Sequence, residues 1–271
     1  MKTLAALCAF GALLLAPLQA VTLLEDNFES YSLGSTPTAP GDGNPNLWAF
    51  SANIAGTVVA GSSPGGSGAN QQVLSVTNNT PDAYATFHRS FERQTADGEN
   101  DIIRLELSLK RTVTDASDYM IDVIDTVAST ITGPVIVRIS GAGVVEIQSG
   151  NGAPGNGLLR TYLPTLGTLN TTDWYRFTIT LDLSSQTFSV SVTNISTYSQ
   201  SATSPALYFY TDVQAVDRFF VRSTATTANA ELGWLIDDVL VQAIPEPALA
   251  PFLGVAGVLL ATSRRRPRKR G

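Results

Sequence analysis

The sequence predicts an all-β chain folded as an antiparallel two-sheet β-sandwich of jelly-roll type. Three observations carry that reading. Between Val21 and Ile244 no stretch shows helical periodicity, while short runs rich in Val, Ile, Thr and aromatic residues recur. Gly, Pro, Asn, Ser and Asp punctuate those runs. Several runs alternate apolar with polar residues, and a period of two leaves one face wet and the other buried, as antiparallel sandwiches require. A chain of 271 residues that is 44% hydrophobic and 15% charged has the material for a packed core.

Taken in order, the expected strands begin with the opening segment 24–29. They continue at 56–60, 71–77, 84–91, 102–110, 119–125, 135–140, 144–148, 174–182, 187–193, 206–210, 218–223 and 234–241. In the fourth of these after the opening, Ile103, Leu105, Leu107 and Leu109 alternate with Arg104, Glu106, Ser108 and Lys110. Later, Tyr175, Phe177, Ile179 and Leu181 alternate with Arg176, Thr178, Thr180 and Asp182. The turn Leu183-Ser184-Ser185-Gln186 follows, and Phe188, Val190 and Val192 return, which is the pattern of a hairpin. Gly-rich loops at 61–68 and 150–157 are too short to link domains, and no repeat recurs at a fixed period. The body is read as one domain, 21–243, between a leader at 1–20 and a tail at 244–271.

The leader reads as a signal peptide. Lys2 is its charged start, Leu4 to Ala16 its apolar run, Pro17 a helix breaker, and Ala20 a small residue at the cleavage point. Its removal takes away the sole cysteine, Cys8, so the exported body would be held by its core alone. The tail begins Pro245-Glu246-Pro247, continues with an apolar stretch at 248–263, expected to be a transmembrane helix, and ends in a basic run at 264–271. The prolines keep the tripeptide extended. Arg264, Arg265 and Arg266 would stay cytoplasmic and stop transfer. This ordered combination resembles the PEP-CTERM sorting signal of Gram-negative bacteria. The resemblance covers about the last 27 residues. It implies passage across the inner membrane, a transient anchor there, and processing near Pro245–Pro247 by an exosortase. The destination it implies is the cell surface or extracellular matrix, where many such proteins accompany exopolysaccharide.

Local phrases in the body resemble the laminin-G/concanavalin-like superfamily. They are the opening Leu24-Glu25-Asp26-Asn27-Phe28-Glu29, the hairpin from Trp174-Tyr175-Arg176-Phe177 to Leu181-Asp182-Leu183, and the closing Trp234-Leu235-Ile236-Asp237-Asp238-Val239. In related carbohydrate-binding jelly rolls a structural calcium often joins the first strand to the last. The resemblance therefore implies Asp26, Glu29 and Asp238 as calcium ligands, with Asp238 rather than Asp237 pointing inward. The alternative is that Asp237 and Asp238 are two exposed carboxylates guarding an edge strand.

Charge narrows the partners. The stretch from Val21 to Ile244 carries ten basic and twenty-two acidic residues, so nucleic acid is not an expected ligand. One His and one Cys do not make a zinc site. Sugar faces stack on exposed aromatic rings, which nominates Tyr119, Tyr162 and Tyr198 near expected loops, and Trp48. Trp174 and Trp234 lie on alternating strands and are expected in the core. Catalytic machinery is sparse. His88 sits in an alternating strand with no nucleophile elbow in the chain. No strand presents the acidic triplet of jelly-roll glucanases. Asp118 and Asp122 share a face that excludes Asp125, and are expected to be solvated. The reading is a non-enzymatic protein associated with glycan; the alternative is a hydrolase or lyase on the same fold.

Overall fold

A computed structural model describes residues 19–37, 48–51, 54–61, 72–78, 84–96, 101–113, 118–127, 133–224 and 234–245. The expected signal peptide up to residue 18, Glu246, Pro247, the apolar stretch 248–263 and the basic run with Arg264, Arg265 and Arg266 lie outside these residues. Among the described residues no helix is long and apolar enough to cross a membrane.

Among the described residues sixteen strands form two sheets. They are β1 (Val21–Asp26), β2 (Ala49–Phe50), β3 (Ile54–Ala60), β4 (Gln72–Asn78), β5 (Tyr84–Thr95), β6 (Ile102–Arg111), β7 (Asp118–Ile124) and β8 (Val135–Ile139), then β9 (Val145–Ser149), β10 (Leu159–Tyr162), β11 (Trp174–Asp182), β12 (Thr187–Asn194), β13 (Ser201–Thr203), β14 (Leu207–Tyr208), β15 (Ala215–Thr224) and β16 (Trp234–Ile244). The first sheet runs β13-β12-β11-β6-β16-β4-β3, with β1 also on β16 and β14 on β12. The second runs β10-β9-β8-β7-β15-β5-β2. Every named pairing is antiparallel. This is the jelly-roll-like sandwich expected from the alternating pattern.

The hairpin forms in the expected register, with Asp182 opposite Thr187 and Gln186 at φ 52 closing the turn. Three strands escape the periodicity argument: β2, β10 and β13. Two or three residues cannot show a period, and β10 (Leu159-Arg160-Thr161-Tyr162) is an edge strand exposed along most of its length.

Between the sheets, Leu105, Leu107, Phe177, Ile179, Val190 and Val241 of the first meet Ile121, Val137, Ile147, Phe219 and Val221 of the second. Trp234 is core as expected, stacked on Tyr119 at 4.3 Å between ring centroids. Trp174 is also buried, but in a small cluster with Val73 and Ile195, separate from the main core. Each such side chain contributes roughly 1.5–3 kcal/mol through burial.

One end of the core holds an ion pair. Asp26 and Arg89 are bonded to each other with side chains 5% and 3% exposed. Asp26 also accepts from the Trp48 indole at 2.9 Å, the Tyr31 hydroxyl at 3.0 Å and the Phe28 amide at 2.9 Å. The Arg89 guanidinium lies 5.8 Å from the Trp48 ring centre. A buried charge needs such enclosure by counter-charge and hydrogen bonds. The network ties β1 to β5, and thus the first sheet to the second.

Candidate functional site

The geometry corrects several expected site residues. Tyr119 is fully buried on β7 against Trp234, so its ring offers no face to a sugar. Trp48 is buried too, within 5.9 Å of Phe28, Phe87 and Phe219, because its indole N–H has a buried acceptor in Asp26. Tyr162 and Tyr198 are exposed, at 51% and 74%, but Tyr162 ends β10 of the second sheet while Tyr198 lies in the turn after β12 of the first.

The three expected calcium ligands do not converge. Asp26 is enclosed by Arg89 and Trp48, and Glu29 accepts from the Gln72 amide at 2.9 Å. Asp238 faces Ser108 at 3.2 Å and Arg176 at 3.3 Å. The register shifts between Asp237 and Leu240, and Asp238 sits at φ 50 in that bulge. A bulge breaks strict alternation, so Asp237 is the more deeply buried of the two. Among the described residues no group of three or more His, Cys, Asp or Glu is placed to hold a metal ion.

What the fold does assemble is a polar network on the outward face of the second sheet. Cross-strand register fixes its rows, since directly paired residues point the same way. One row runs Tyr162, Glu146, Arg138, Met120, Arg222 and Thr86, from β10 through β9, β8, β7 and β15 to β5. The next runs Arg160, Gln148, Ile136, Asp122, Phe220 and His88.

Glu146 is the hub of the first row. It is 5% exposed and accepts from Gln148 at 2.9 Å and from the Tyr162 hydroxyl at 3.0 Å. Arg138 and Arg160 each come within 3.6 Å. Burial pushes its carboxyl up, but those two hydrogen bonds and the two guanidinium charges outweigh it and hold the group below the ordinary range. Arg138 also pairs with Asp118.

Asp122 is the hub of the second row, and the expectation of a solvated side chain fails here. It is wholly buried, with Oδ2 2.8 Å from Arg222 and 3.5 Å from the Gly133 amide. Gly133 lies so close that a Cβ there would meet the Val123 carbonyl at 2.0 Å and Asp122 Oδ1 at 2.2 Å. Burial pushes the Asp122 carboxyl up to about 7, against the opposing pull of Arg222 and Gly133. His88 stacks on Phe220 at 5.8 Å; burial and the charge of Arg218 lower its pKa, so its imidazole is neutral at pH 7.

With this geometry in view, known proteins were compared. No family model matches the chain, and no curated protein matches it. Solved structures do share its fold. One is a protein of unknown function from Shewanella oneidensis MR-1: 16% identity, TM-score 0.51, covering 86% of this chain and 91% of that one. Another is the marine PL-14 alginate lyase from Aplysia kurodai, at 12% identity and TM-score 0.51, covering 78% and 98%. A third is the catalytic domain of a glycoside hydrolase family 131 protein from Coprinopsis cinerea, at 10% identity and TM-score 0.52, covering 84% and 99%. The fold is therefore one that glycan-cleaving enzymes use. At these identities the likeness speaks for the fold alone.

Sequence reasoning missed Arg138, Glu146, Gln148 and Arg222, because polar residues at every second position of a strand read as an ordinary solvated face, and it missed Arg89, which lies on the inward face of β5.

Proposed function

We propose that the protein is exported and held at the cell surface or in the extracellular matrix, and that its sandwich associates with glycan through the outward face of the second sheet. The observation that carries this reading is the β10 edge of the network, where half-exposed Tyr162 adjoins Glu146 and Arg138 of its own row and Gln148 and Arg160 of the next. An aromatic ring at the rim with fixed acceptors and donors behind it suits a sugar, whose ring face stacks while its hydroxyls bond outward. The carboxylate at that edge, Glu146, is engaged by Arg138 and Arg160, which supports binding rather than catalysis.

The sorting half of the reading rests on the tail, Pro245-Glu246-Pro247 with its apolar stretch and Arg264–Arg266, read by an exosortase-type enzyme at the inner membrane. Its support from the fold is local. Val21 pairs with Ala243, so the segments before β1 and after β16 leave from the same end of two adjacent strands of the first sheet. An anchor on either segment tethers the sandwich at that strand end and leaves the second sheet's outer face clear. Calcium forms no part of this proposal.

Two experiments test it. Retention of the purified protein on immobilised exopolysaccharide should fall about tenfold in Tyr162→Ala and be unchanged in Thr178→Ala on the other sheet; equal retention of both variants sinks the assigned face. In an exporting host, Glu246→Ala should accumulate as the unprocessed membrane form, and normal processing of that variant would contradict the sorting reading.

A further inference from the structure

The loop between β9 and β10 holds the same tripeptide twice, Gly150-Asn151-Gly152 and Gly155-Asn156-Gly157. No other asparagine of the chain is followed by glycine. Such a pair is chemically labile, because glycine has no Cβ to shield its amide nitrogen from the asparagine side chain before it. With both neighbours alike, the two asparagines have the same intrinsic reactivity. A difference between them comes from the fold.

The fold leaves both sites open. Asn151, Gly152, Asn156 and Gly157 are all exposed. Beyond the chain neighbours, no atom of the described residues lies within 4 Å of where a Cβ on Gly152 or Gly157 would stand. Neither of these glycine amides donates to a partner among the described residues.

The two side chains differ. Asn156 Nδ2 donates to the Asn151 carbonyl at 3.0 Å, and the Asn151 amide donates back to the Asn156 carbonyl at 2.8 Å. The Asn156 amide also donates to the Ala153 carbonyl at 3.3 Å. The loop is itself anchored, by the Gly150 amide on the Tyr208 carbonyl at 3.0 Å and the Gly155 amide on the Phe209 carbonyl at 3.2 Å, so this clamp on Asn156 is part of a fixed frame. The Asn151 side chain makes no hydrogen bond among the described residues.

We propose that Asn151 is a site of spontaneous modification in the folded protein, converting to isoaspartate and aspartate ahead of Asn156. The Gly152 nitrogen gives its proton to water and attacks Asn151 Cγ. A new C–N bond closes a five-membered imide, the bond from Cγ to Nδ2 breaks, and the nitrogen takes a proton and leaves as ammonia. Water then opens the imide. Attack at the α-carbonyl leaves the main chain running through Cγ, which is isoaspartate; attack at Cγ leaves aspartate. Asn156 must first break its bond to the Asn151 carbonyl before its Cγ can turn towards the Gly157 amide. The loop leads into β10, so the isoaspartyl link adds a carbon to the main chain beside the edge that carries Tyr162, and either product adds a negative charge to an acidic body.

The test incubates the purified full chain at neutral pH and follows both sites by mass spectrometry with fragmentation that separates isoaspartate from aspartate. Trypsin cleaving after Arg138 and Arg160 releases both asparagines in one peptide, so each is the other's internal reference. Asn151 should convert about fivefold faster than Asn156, the factor that one ordinary hydrogen bond is worth. Isoaspartate should be among the products. In guanidinium chloride the clamp is gone and the two rates should become equal. Equal rates in the folded chain, a faster Asn156, no acid at residue 151, or aspartate without isoaspartate would each overturn the proposal. So would a difference between the sites that persists in the unfolded chain.

Discussion

The outward faces of the two sheets are written in the same alternating code and differ in depth. On the first sheet the outward row of β11 and β12 is Arg176, Thr178, Thr180, Ser189, Ser191 and Thr193, all partly exposed. Its ion pairs are shallow: the Arg104 and Glu106 side chains are 44% and 18% exposed, and those of Arg176 and Asp238 are 38% and 33%. On the second sheet two outward carboxylates are buried, Asp122 wholly and Glu146 at 5%, beside Asp118, whose side chain is 24% exposed. Facing away from the core is thus not the same as facing water. A hydroxyl-rich face exchanges easily with solvent, whereas a face of buried acids locked to arginines is a preorganised polar surface, at a cost in desolvation.

The pair between the sheets sets the upper limit for what burial can do to a charge. Arg89→Met should cost about 3–5 kcal/mol by stranding Asp26 in the core, measured as a fall in the urea midpoint at constant slope. A loss below about 1 kcal/mol would mean that Trp48, Tyr31 and the Phe28 amide suffice to hold Asp26 alone.

On the second sheet's outer face, Gly133→Ala should cost roughly 1–3 kcal/mol, since the added carbon must displace Asp122 or the Val123 carbonyl. Asp122 itself makes that face respond to pH. Its folded pKa is raised to about 7, above its unfolded value near 4, so the folded state holds the proton more tightly. The stability this contributes is complete below about pH 4 and is lost as pH rises through about 7. The difference in unfolding free energy between wild type and Asp122→Asn should therefore shrink across that window, and a difference that stays flat would remove Asp122 as the titrating group.

Glu146 runs the other way. Its folded pKa is lowered, so its contribution is present above the unfolded value near 4.3 and lost as pH falls through the folded one. Glu146→Gln should cost about 1.5–3 kcal/mol at pH 7 and less in acid. The smallest effect belongs to the first sheet. Arg104→Ala breaks a pair that stands largely in water and should change stability by no more than about 0.5 kcal/mol.

Much of the fold was legible. The alternation of Ile103 to Leu109 with Arg104 to Lys110 and the turn at 183–186 follow from local backbone geometry, and the sheets realise both. Tyr119 and Trp48 were not legible, because each lies near a strand end, where the pattern assigns no face. Asp237 and Asp238 exchanged their expected depths because a bulge inserts one residue, and nothing in the local pattern announces it. Arg89 was hidden for another reason. It occupies an inward position, where an arginine reads as an exception until its partner 63 residues away is known.

By itself the chain determined most of the strands and the inward and outward sets along them, since both are properties of neighbours in sequence. Only the tertiary structure decided which strands lie side by side, and with that which outward charges sink and which stay wet. Depth depends on cross-strand partners and on the segments that close over a face, and those are brought together by long-range pairing rather than by any period in the sequence.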